Sequence, residues 1–97
     1  MAQVAINVNG NGVNTIIAAV AGRSIVVQGY ALMAGNTVSA NWQDTAGTAL
    51  SGPFPFVANS GVAPSAPQSF VVGQGLGLNL NLTGPVAVAG HLNYILV

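Results

Sequence analysis

The chain has 97 residues, 52% of them apolar and only 2% charged: one arginine (Arg23), one aspartate (Asp44), a single histidine (His91), and no lysine, glutamate or cysteine. A typical globular domain is about 25% charged, so this composition argues against a nucleic-acid binder that neutralises several phosphates, a basic membrane-surface helix and a disulfide-stapled scaffold. It predicts one folded domain whose neutral surface normally faces other protein, because little repulsion keeps copies apart.

Taken in order, the chain reads as short alternating pieces separated by glycine and proline. Over residues 3–8, Val4, Ile6 and Val8 fall on one face, and Asn9-Gly10-Asn11-Gly12 follows as a turn. Residues 1–13, polar and glycine-rich, are assigned as an N-terminal arm, ahead of a β-sandwich domain over 14–97. No positively charged leader is visible in "MAQVAINVNG", and no apolar run reaches the roughly 20 residues of a membrane span. Residues 14–20 read as a short apolar strand or arm. Ser24 to Met33 is the longest strand, apolar on both faces as in a central strand covered on each side, with a bulge or a close backbone approach expected at Gly29.

After a turn at Ala34-Gly35-Asn36, "TVSANWQ" places Val38, Ala40 and Trp42 on one face. Asp44 is a turn residue whose side chain bonds the local backbone. Pro53 and Pro55 hold "GPFPFVA" extended, outside any central ladder, and mark a sheet edge or a crossing between sheets. Residues 59–68, "NSGVAPSAPQ", are the one long irregular loop and the first candidate contact loop, through Asn59, Val62, Pro64 and Pro67.

In "GLNLNLTG", residues 77–84, Leu78, Leu80 and Leu82 alternate with Asn79 and Asn81. One face of this strand is leucine and the other carboxamide. Carboxamides donate and accept without the desolvation cost of a charge, so Asn79 and Asn81 are the second set of interface candidates. Lysine at both positions is expected to abolish assembly and spare the fold. The run to Val97 carries Leu92, Tyr94 and Leu96 opposite His91 and Asn93, and its end is expected to be paired within a sheet. About eight antiparallel strands at roughly ten-residue spacing make a single small β-sandwich or jelly roll, with no helix longer than a turn.

Candidate chemistry is sparse. His91, Asp44 and a serine supply the parts of a hydrolase, but no G-x-S-x-G elbow accompanies them. His91 and Asp44 are two metal ligands where a site needs three or four. "GQGLGL", residues 73–78, lacks the spacing and the following helix of a phosphate loop. Neither enzyme activity, cofactor nor small-molecule substrate is expected. Trp42 beside Asn41 and Gln43 has the composition of a sugar-stacking platform, although its alternation with Val38 and Ala40 points it into the core.

Three segments carry a resemblance: "IIAAVAGRSIVVQGYALMA" at 16–34, "TALSGPFPFVANSGV" at 48–62 and "GLNLNLTGPVAVAGHLNYILV" at 77–97. Together they resemble small structural proteins of tailed bacteriophages, in which an apolar strand turns through glycine into a long strand and a "V-A-V-x-G-H-L-x-Y" segment follows. Such proteins carry a basic residue or two where this chain has Ser24 and Val26. The resemblance implies a capsid decoration, or cement, protein on the outer surface of the virion, made in the host cytoplasm. Its implied partners are the major capsid protein and further copies of itself, a trimer being favoured. A tail, neck or fibre component and a carbohydrate-binding module are the alternatives.

Overall fold

The computed structural model describes residues 2–51, 53–62 and 70–97, without the side chains of Ala2 and Val62. The described residues form nine strands: β1 (Ala2–Val8), β2 (Gly12–Ile17), β3 (Ile25–Ala34), β4 (Val38–Asp44), β5 (Phe54–Phe56), β6 (Ser60–Val62), β7 (Phe70–Val71), β8 (Leu78–Leu82) and β9 (Val88–Leu96). All pairings between them are antiparallel. One sheet runs β1-β9-β3-β6 with β7 also on β3, and the other runs β2-β8-β4-β5. This interleaved order is the two-Greek-key connection of a jelly roll. The expected all-β sandwich is therefore the fold.

Alternation decides which face of each strand is buried. Val38, Ala40 and Trp42 of β4 and Leu78, Leu80 and Leu82 of β8 meet Ile6, Val27, Leu32, Val88 and Leu92 of the other sheet in one core. Four aromatic rings tie the layers together at one end of the core. Tyr30 of β3 meets Trp42 of β4 edge-on, centroids 5.3 Å apart, and Phe70 of β7 lies 6.1 Å from Trp42 and 6.4 Å from Tyr30. Phe54 of β5 completes the group at 6.4 Å from Tyr30. Such pairs add about 0.5–1.5 kcal/mol each beyond the area they bury.

Several local expectations hold. The register of β3 against β9 shifts between Val27 and Gly29, which is the bulge expected at that glycine. β5, with Pro55 exposed at its centre, pairs only with β4 at the edge of its sheet. The Asp44 carboxylate accepts from the backbone N–H groups of Ala46 at 3.0 Å and Thr48 at 2.9 Å, closing the turn after β4. Asp44→Ala leaves both donors without that acceptor. A loss of about 1–2 kcal/mol is expected in urea unfolding, with the slope unchanged.

Three expectations are corrected. Residues 2–8 are not an arm: β1 lies along β9 in unbroken register from Ala2↔Tyr94 to Val8↔Val88. The cause is the alternation of Val4, Ile6 and Val8, all packed on the core. The loop over 59–68 begins as a strand, because Asn59 turns the chain at φ 61° and sets Ser60–Val62 against β3. Gly61 permits that approach, since a Cβ there would meet the Leu32 carbonyl. Finally, β3 is central but covered on one face only; Met33 on its outer face is 58% exposed.

Candidate interaction surfaces

Each sheet turns one face to the core and one outward. Register places the outward residues of the first sheet in rows that cross three or more strands. Asn7, Ala89, Met33 and Gly61 make one row, Ala5, His91 and Ala31 the next, and Gln3, Asn93 and Gly29 a third. Ile95, Val26 and Val71 make the row beyond the bulge. Small residues at the centre keep this face low, with Met33 and Val71 standing exposed at 58% and 59% toward its two ends. No residue on it is acidic or basic apart from His91.

The outward face of the second sheet is the carboxamide face. Thr15, Asn79 and Gln43 form one row across β2, β8 and β4, and Val13, Asn81 and Asn41 form another. Asn81 Nδ2 donates to Asn41 Oδ1 at 3.1 Å. At the end of β8, the Ser39 N–H donates to Thr83 Oγ1 at 2.9 Å and the Thr83 N–H to the Ser39 carbonyl at 3.0 Å. Neutral side chains are thus used here to bond one another laterally across strands. Lysine could donate but not accept in such a row.

That geometry changes the expectation for Asn79. It is 7% exposed, flanked by Thr15 and Gln43, and its Oδ1 is buried with no hydrogen-bond partner among the described residues. A lysine there must bring an ammonium into a site already closed by its own chain. Asn79→Lys is therefore expected to cost about 1–3 kcal/mol of stability, seen as a lower denaturation midpoint, instead of sparing the fold. Asn81 is half-buried and held by Asn41, so neither asparagine stands free.

Of the loop candidates, Asn59 is exposed, and its backbone N–H donates to the Ala34 carbonyl at 2.9 Å. Its left-handed backbone suits asparagine, which tolerates that region better than most residues. Val62 pairs through its backbone with Leu32. Pro64 and Pro67 lie outside the described residues.

The structure does not bring His91 and Asp44 together. His91 lies on the outer face of the first sheet, while Asp44 ends β4 in the second, buried, with its carboxylate engaged by the turn. Trp42 is fully enclosed at 0% exposure and presents no ring face for stacking. The residues that sequence reading missed are the small ones on the outer face of the first sheet, above all Ala5, Gly29, Ala31 and Ala89. A partial signal was present in the steps from Ala31 to Leu32 and from Val88 to Ala89, but Met33 with Ala34 and Gly90 with His91 run the other way.

In comparisons with known proteins, the chain matches no family, no curated protein and no solved structure.

Proposed function

We propose that the chain is a structural protein of a tailed-phage virion that decorates the outer capsid and cements it through protein contacts. The observation that carries this reading is the outward face of the first sheet, broad, low and without acidic, lysine or arginine side chains, with Met33 and Val71 exposed upon it. The only arginine, Arg23, is exposed and lies outside the strands, in the segment before β3, and the only acid is buried. A free domain gains little from such a surface, whereas a domain held against other protein avoids the cost of stripping water from charges.

The segment resemblance supplies the phage particle. The fold is compatible without deciding the matter, since jelly rolls serve in viral capsid domains, lectins and cupins alike. A sugar-binding reading needs a ring at the surface, and enclosure of Trp42 removes the one the sequence suggested. A tail or neck position would use the same faces and differs in copy number.

Cementing works by mass action. Each bound copy stabilises the assembled shell and not its dispersed subunits, so many modest contacts add up. Binding through neutral surface should also resist salt. Purified protein added to shells that lack it is expected to raise their melting temperature and to bind with little change between about 0.05 and 0.5 M salt. Met33→Lys and Val71→Lys should weaken that binding while changing the unfolding free energy by no more than about 0.5 kcal/mol, as for ordinary exposed positions. Undiminished binding by both variants would contradict the reading, as would a steep loss of affinity with salt.

A further inference from the structure

A jelly roll leaves four sheet edges, and strand edges with unpaired N–H and C=O groups invite addition of another strand. Three of the four are blunted here. β5 is three residues centred on Pro55. Among the described residues, the edge beyond β3 is split between β6 of three residues and β7 of two. β2 is broken by a register shift between Thr15 and Ile17.

β1 has none of these devices. It is seven residues long, without proline, glycine or charge, in unbroken register with β9, and no other strand among the described residues pairs with it. No backbone hydrogen bond to its second edge is found among the described residues.

We propose that β1 is a dimerisation edge, on which β1 of a second copy adds antiparallel about a two-fold axis midway between the two Ala5 residues. The choice of occupant follows from the strand's own pattern. In the register that uses its full length, Ala5 stands opposite Ala5 of the second copy, Gln3 opposite Asn7, and Val4 opposite Ile6. The outward row then joins carboxamide to carboxamide, since Gln3 and Asn7 are both exposed. The inward row joins Val4 to Ile6, both of which pack on the core, so the apolar layer continues from one copy into the next. A two-fold interface requires such self-complementarity, and β1 meets it: the opposed outward side chains are both carboxamides, the opposed inward ones both apolar, and no like charges face each other. One strand edge a side falls at the small end of specific interfaces, below about 1,200 Å² in total, so the dimer dissociates on dilution. This inference stands independently of the capsid reading.

The absence of cysteine makes the register directly testable by cross-linking in the full chain. Residues directly opposite in an antiparallel pair have Cα atoms about 4.5–5.5 Å apart, within the range a disulfide spans. Ala5→Cys should give a covalent dimer under mild oxidation, and so should Gln3→Cys mixed with Asn7→Cys. Gln3→Cys alone places its thiols four residues apart along the strand, about 13 Å, and should not link. Thr37→Cys, exposed in the turn before β4, is the control for random collision. In sedimentation, the unmodified chain should pass from monomer to dimer with concentration, and Ala5→Lys, at an exposed site, should remain monomeric with its fold intact.

The proposal is overturned if Ala5→Cys links no faster than Thr37→Cys. A trimer without an Ala5 cross-link, the arrangement implied by the phage resemblance, would overturn it equally. So would a chain that stays monomeric at all concentrations.

Discussion

Gly90→Val is expected to abolish the cooperative unfolding transition. Gly90 lies on the inward row of β9, between Ile6 of β1 and Leu32 of β3. A Cβ there would run into the Ala31 carbonyl and stand 2.8 Å from its carbon and 3.2 Å from the Leu32 Cα, all of it backbone. No side chain can swing aside to relieve that clash, so β9 must leave β3, and these are the two longest strands of the fold. A domain of this size has about 5–15 kcal/mol of stability, of which loss of this pairing removes most or all. The check is circular dichroism with thermal melting against Gly84→Ala, where an added Cβ meets nothing within 4 Å. A folded Gly90→Val protein with a normal midpoint would show that β9 does not approach β3 as described.

Removal of residues 94–97 is the second large effect. Tyr94, Ile95 and Leu96 pair with Val27, Val26 and Ile25, and Val97 exchanges backbone hydrogen bonds of 2.9 and 3.0 Å with Ser24. Without them Ile25 and Val27, now 1% and 0% exposed, lose their cover on one side. Full exposure costs about 1.5–3 kcal/mol for each such side chain, and the lost backbone bonds add about 1 kcal/mol apiece. The sum rivals the whole stability of a small domain. Truncation should therefore yield protein without a melting transition, or with a midpoint lowered by 20 °C or more, at roughly 4–8 °C per kcal/mol. A truncated chain that melts normally would contradict the pairing.

Much of this architecture was legible in the residues, and the reason is alternation. Val38, Ala40 and Trp42, and Leu78, Leu80 and Leu82, sit at period two with polar partners between them, so their inward direction followed from the pleat. Pro55 excluded a central position and Gly29 marked an irregularity for equally local reasons, and the pairings decide between edge and crossing and between bulge and close approach. β1 was misjudged because glycine and asparagine over 9–12 gave the whole N-terminal stretch the look of an arm. The alternation of Val4, Ile6 and Val8 marked a strand face, but the partner strand, β9, lies some eighty residues away, and a local pattern does not name its partner.

The surfaces were harder to read for the same reason. Asn79 and Asn81 look alike in sequence, yet register buries one under Thr15 and Gln43 and bonds the other to Asn41. Alanine and glycine on β3 and β9 looked like core residues, and only the two-layer arrangement turned them outward.

Copy number in purified virions tests the central claim most directly, measured by quantitative mass spectrometry against the major shell protein. Chymotrypsin is the protease of choice, because Arg23 is the sole tryptic site. A decoration role predicts abundance comparable to that of the shell subunit. A handful of copies per particle, or none, would contradict it.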